Sequence, residues 1–189
     1  MVSIMNKKII IPLLVLAVII PAVSILGFDT VPHDDRVYTH SSAGISSGAS
    51  IEELADNADY IVEGKLTNAK SITVPMGSSD DPLRIKALTY WTIQVDKTYK
   101  GEPTKELVFL KAGGETDKVV STYEGLQWKL GDTIFVYLTE EDGILKQYGT
   151  TNVSFKLTES GIAEAYPPWN SKPIEQLRQE QTVLTEKFQ

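Results

Sequence analysis

The chain has 189 residues, no cysteine, two histidines and a formal net charge of −7. The missing thiols exclude disulfide frameworks, zinc ribbons and thiol catalysis, and the acidic balance excludes a nucleic-acid binder, which needs clustered Lys and Arg. The length allows one domain plus a leader, large enough to bury a core without a covalent or metal staple.

Lys7 and Lys8 precede an uncharged apolar run, residues 9–20, which is followed by Pro21, Ala22, Val23 and Ser24. A positive start and an apolar stretch mark export. Two outcomes fit. Ala22 and Ser24 are small residues two apart, as cleavage after Ser24 requires. Alternatively, the stretch bounded by Ile9 and Phe28 is about 20 residues, enough to span a bilayer as an uncleaved anchor. Ile25 and Leu26, beyond the small pair, favour the anchor, with the lysines cytoplasmic. Residues 1–28 are thus a signal peptide or transmembrane anchor, expected as an N-terminal hydrophobic helix. Residues 29–50 contain a run of Ser, Gly and Ala with no periodic apolar face. That composition predicts a flexible linker between membrane and domain.

The domain is expected over residues 51–170. Ser50 and Glu53 form an S-x-x-E capping box opening a short helix over 51–58, with Ile51, Leu54, Ala55 and Ala58 on one stripe. A strand follows over 60–66, with an extension to 74; Gly64 within it marks a bend or a close backbone crossing. The longest strand is residues 83–101. Trp91, Ile93 and Val95 share one face there, and Thr92, Gln94 and Asp96 the other. Residues 107–112 and 133–139 are apolar on both faces, as covered strands are. Asp142-Gly143 is a hairpin signal pairing 134–138 with 144–148. Short strands are expected at 119–123, 153–157 and 162–166. Ser171 caps a final helix over 171–189 whose apolar positions are Ile174, Leu177, Val183, Leu184 and Phe188. Many short strands with regular turns define an all-β class with minor α, a barrel or sandwich.

Strings that match catalytic or metal-binding patterns are few in this chain. Gly44-Ile45-Ser46-Ser47-Gly48 matches the G-x-S-x-G string of serine hydrolases, but no strand precedes it and both histidines, His33 and His40, lie upstream. His33, Asp34, Asp35 and His40 are metal-ligand types close together, in a segment expected to lack fixed geometry. Carboxylates cluster at Asp80-Asp81, at Glu115 and Asp117, and at Glu140-Glu141-Asp142, each where a turn is expected. No catalytic residue, metal site or cofactor is assigned. Trp128 and Trp169 lie beside turns and are the candidate binding surface. Asn152-Val153-Ser154 is an N-x-S sequon, making Asn152 a candidate glycosylation site.

Several short strings recur in one order: Ala58-Asp59-Tyr60-Ile61-Val62-Glu63-Gly64-Lys65-Leu66, Trp91-Thr92-Ile93-Gln94-Val95, Tyr99-Lys100-Gly101, Ala112-Gly113-Gly114, and Leu130-Gly131-Asp132 before Ile134-Phe135-Val136-Tyr137-Leu138. This resembles a pattern of exported prokaryotic domains, which are similar to the OB-like barrels of netrin-type modules and tissue metalloproteinase inhibitors. The resemblance covers residues 51–156 and implies an OB-like barrel. It is made of core and turn residues, and those inhibitors act through an N-terminal cysteine this chain lacks, so no functional residue is carried over.

The expectation is a membrane-tethered or secreted cell-surface module that binds or scaffolds without catalysis, its partner an extracellular protein or a glycan. Two alternatives stand beside it: a regulator or inhibitor of an extracellular protease, and a hydrolase of envelope sugars using the carboxylates at Asp80-Asp81 or Glu140-Glu141-Asp142.

Overall fold

The computed structural model describes residues 34–41, 50–77, 84–148, 154–166 and 169–187. Ile9, Phe28, His33, Asp80, Asp81 and Asn152 lie outside the described residues, so the leader, the Asp80-Asp81 cluster and the sequon are not placed. The chain divides between Asp35 and Arg36 into two units, and the strands and helices described all belong to the second.

Eleven strands and two helices are described. In chain order they are β1 (Val37–Ser41), α1 (Ile51–Asn57), β2 (Tyr60–Pro75), β3 (Ile85–Lys100), β4 (Glu106–Ala112), β5 (Gly114–Glu115), β6 (Val119–Tyr123), β7 (Thr133–Glu141), β8 (Ile144–Gln147), β9 (Ser154–Leu157), β10 (Ile162–Ala165), β11 (Lys172–Pro173) and α2 (Ile174–Glu186). The fold is mostly β, with the short leading helix and the C-terminal helix where the sequence puts them. One sheet has the order β11-β10-β9-β7-β2-β3-β4-β8, and β8 also pairs with β7. Pairing therefore passes through β7, β2, β3, β4 and β8 and returns to β7. The β4–β8 link is a single parallel pair, Leu110 with Lys146. A second sheet has the order β1-β6-β5.

The central strand β7 explains the layering. Successive side chains in a strand point to opposite faces, and both faces of β7 are buried: Ile134, Phe135, Val136, Tyr137 and Leu138 are all fully enclosed. Phe135 and Tyr137 join a core with Leu54 and Ala55 of α1 and Leu177 and Leu184 of α2. Ile134, Val136 and Leu138 join a different core with Val62, Leu66, Ile93, Phe109 and Trp128. The β2 neighbours Ile61 and Val62 split the same way. One core thus lies on the helix side of β7, and the other on its opposite face.

The residues carrying the resemblance do structural work at the joints. Asp59 Oδ2 accepts from the Glu140 amide at 2.7 Å and the Thr139 hydroxyl at 3.1 Å. Lys100 Nζ donates to the carbonyls of Ala55 and Asp56 at 2.9 and 2.7 Å, supplying a cation to the C-terminal end of α1, which has no basic residue of its own there. Gly64 is a close crossing, since a Cβ there would stand 2.1 Å from the Gln94 carbonyl oxygen.

Four expectations are corrected. The linker expected over 29–50 contains β1. Its Val37 amide donates to Lys118 at 2.9 Å, Thr39 and Ser121 hydroxyls meet at 2.6 Å, and pairing with β6 is parallel. The strand was hidden because its partner is some 80 positions away (the Thr39–Ser121 bond spans 82). β4 is not covered evenly on both faces: Phe109 is buried, whereas on the other face Val108 is half exposed and Leu110 and Ala112 are only partly covered. The final helix begins at Ile174 rather than after Ser171. Lys172 and Pro173 pair with β10 instead, and Ser171 Oγ accepts from the Ala165 amide at 3.1 Å. On that helix Val183 faces outward, and Gln181 takes the buried position beside Leu177 and Leu184. Ser50 does cap α1, accepting from the Glu53 amide at 3.1 Å.

Candidate functional site

Trp128 and Trp169 are not brought together. Trp169 is half-buried against the core under the helices and lines a groove with Ile51, Lys172 and Leu184. Trp128 is 8% exposed, so little of its ring is open for stacking. Its ring lies edge-on to Trp91, with centroids 5.8 Å apart, and to Phe109 at 5.9 Å. Beside its turn, Trp128 packs inward on the core that holds Val62, Leu66, Ile93 and Phe109.

Trp128 nevertheless borders a cleft of about 270 Å³, formed with Trp91, Lys111, Tyr123 and the Gly113-Gly114 pair. Strand register assembles it. Leu107, Phe109 and Lys111 alternate on one face of β4, and Phe109 and Lys111 stand opposite Trp91 and Thr89 of β3. Lys111 therefore occupies the next inward position after a buried phenylalanine. The glycine pair lets the chain turn back close to β2 and β3: Gly114 has φ 135°, and a Cβ there would stand 2.2 Å from Thr89 Oγ1. β5 and β6 then form the facing wall.

The polar groups of the cleft divide into satisfied and unsatisfied ones. Thr89 Oγ1 donates to Gly113 O at 2.7 Å. Ser121 Oγ accepts from the Ala87 amide at 2.7 Å. Glu115, on the rim, is paired with Arg36. Lys111 has no hydrogen bond or ion pair among the described residues; its ammonium lies over the Trp128 ring, 4.8 Å from the centroid. Burial pushes its pKa down to about 8, with no charged neighbour contributing. The Trp128 Nε1 donor is also buried without a partner. A desolvated, uncompensated charge inside a cleft is a mark of a functional site.

The other candidate residues lie elsewhere. Glu140, Glu141 and Asp142 sit at the β7–β8 turn, where Asp142 has φ 54° and Glu141 pairs with Lys146 at 2.5 Å. His40 is exposed on β1, its Nδ1 3.0 Å from Thr122 Oγ1. Asp34 and Asp35 are exposed. Among the described residues no three His, Asp or Glu side chains converge on one point that could hold a metal. A second polar cluster, Glu63 with Arg178 and Tyr99, joins α2 to the sheet. Burial first, and the Glu63 charge second, raise the Tyr99 phenol above its ordinary range.

Lys111 was not singled out from the sequence. The signal was present: a lysine continuing the alternation Leu107, Phe109 falls on an inward face, where an ammonium is out of place. No protein-family model and no curated protein matches the chain.

Proposed function

We propose that the chain is a cell-surface binding module without catalytic activity, held by its N-terminal segment or released from it. Strands β2, β3, β4, β8 and β7 would form its OB-type barrel. The pairing order supports the barrel reading: five strands joined 1-2-3-5-4 and back to 1, with a parallel link between the third and fifth, is the circuit of an OB-like fold. The core of Val62, Ile93, Phe109, Ile134 and Trp128 would be its filled interior.

The observation that carries the binding reading is the cleft at the end of that interior, where Lys111 stands uncompensated beside Trp91, Trp128 and Tyr123. Convergent aromatic walls with one charged group are the usual make-up of a small ligand site. The extracytoplasmic placement rests on Lys7, Lys8 and the apolar run after them.

The test uses the three tryptophan indole N–H resonances of the full chain in a mild non-ionic detergent, assigned by Trp→Phe replacement. A panel of envelope glycans and short peptides is titrated in. The reading expects at least one member to shift the Trp91 and Trp128 signals, to leave Trp169 in place, and to be recovered chemically unchanged. A panel that moves only Trp169, or a ligand that is cleaved, overturns it.

A further inference from the structure

We propose that the Lys111 cleft takes a small monocarboxylate, with the acid group on Lys111 Nζ and a single ring-sized body against Trp91 and Tyr123. This rests on the reading of the cleft as a binding site and adds the chemistry of its ligand.

Charge is the first argument. An ammonium taken out of water is unfavourable unless an anion meets it. No side chain among the described residues supplies that anion. Glu115, which also borders the cleft, already has Arg36 as its partner. A cation–π contact with Trp128 offsets only part of that cost. A ligand carboxylate would complete the site with a charge-assisted hydrogen bond.

Size and field narrow the anion. The volume of about 270 Å³ is at the lower end for ligand pockets and suits one ring rather than an extended chain. One lysine supplies one positive charge, and the chain as a whole carries −7. A polyanion would be repelled by that field, whereas a monoanion needs only the local ammonium. A phosphate dianion would want several converging donors, and the cleft hydroxyls of Thr89 and Ser121 are already engaged with the protein.

The aromatic walls select the body. Trp91 and Tyr123 are half-buried and line the cleft. Gln127 turns its amide nitrogen to the carbonyls of Tyr123 and Gly125, at 3.2 and 3.3 Å. Its own carbonyl, like the Tyr123 hydroxyl, has no partner among the described residues. A ring bearing a hydroxyl could donate to either oxygen.

The experiment titrates the full chain in detergent with benzoate, benzamide, glucuronate and glucose, reading the same indole resonances. The expected result is that benzoate or glucuronate shifts Trp91 and Trp128 in the millimolar range or below, while the matched neutral compound does not. Which acid binds tells whether the body is planar or a pyranose. Lys111→Met should weaken binding at least tenfold, and Lys111→Arg should retain part of it. Lys111→Met removes a buried charge and is expected to fold, with the unmoved Trp169 signal as the check on folding. The proposal is overturned if neither acid shifts the cleft signals, if the neutral partners shift them equally, or if Lys111→Met binds as the parent does. Equal binding of the neutral compounds would leave the binding-module reading standing, whereas a cleft that no glycan or peptide of the wider panel perturbs would remove that reading itself.

Discussion

Arg178 of α2 holds Glu63 of β2 across 115 positions of sequence. Its Nε donates to Glu63 Oε2 at 3.0 Å and its Nη2 to Oε1. The two ends of the pair are unequal, since the Glu63 side chain is 6% exposed and that of Arg178 37%. Removing the arginine strands a carboxylate inside the protein with, among the described residues, only the Tyr99 hydroxyl left to it, at 3.1 Å. Removing the carboxylate charge leaves an arginine that can turn to water and to Glu175. Arg178→Met should therefore cost about 3 kcal/mol and Glu63→Gln about 1 kcal/mol, because an unpaired buried charge is the expensive outcome. Urea unfolding of both variants checks this, and equal losses would show that the asymmetry does not matter.

Gly64→Ala should be among the most damaging single-atom changes in the chain. The new Cβ would meet the Gln94 carbonyl oxygen at 2.1 Å and its carbon at 2.9 Å. Both are backbone atoms of a paired strand and cannot swing aside. A loss of about 3 kcal/mol is expected, read as a fall in the urea midpoint at constant slope. A variant within 0.5 kcal/mol of the parent, roughly the range of a harmless surface change, would mean that β2 and β3 can separate at this point.

The two cores on either side of β7 should be comparably sensitive. Phe135→Ala opens the core under the helices and Ile134→Ala the one on the opposite face of β7. Each should lose about 3–4 kcal/mol. Val108→Ala, on the open face of β4, should stay within about 0.5 kcal/mol. If Ile134→Ala were as harmless as Val108→Ala, that face of β7 would not be tightly packed.

Lys111 should make stability depend on pH with a definite sign. Its folded pKa, about 8, lies below its ordinary value of 10.5. Between those values the unfolded chain holds more of the proton, so the group's contribution to stability rises with pH across that window. Below about pH 8 both states are protonated and the native state carries the whole desolvation cost. Lys111→Met should thus be more stable than the parent at pH 7, by about 2 kcal/mol once screening of a half-buried group is allowed for. The advantage should shrink towards zero by pH 10.5. Urea midpoints of both proteins at pH 7, 9 and 10.5 decide it; a constant offset would show that packing, and not charge, separates them.

What the sequence determined by itself was local. The alternation of Trp91, Ile93 and Val95 placed all three against one core. Ser50 three residues before Glu53 set the start of α1, and Asp142-Gly143 set the β7–β8 hairpin. Gly64 was readable as a bend or a close crossing, the usual reasons for a glycine inside a strand, and the place a Cβ would take against Gln94 shows the crossing. These features depend on neighbours within a few residues, and side-chain period or turn chemistry reports them directly. What only the tertiary structure decided depends on pairing between distant segments. Val37–Ser41 became a strand because residues near 120 offered it a partner. Trp128 went inward because Trp91 and Phe109, from strands distant in sequence, gave it a surface to pack on. Lys111 lost its solvent because the chain after Gly113-Gly114 turned back over it. A residue's hydration is set by everything that folds against it, and for Lys111 those segments come from β3, β5, β6 and the turn holding Trp128.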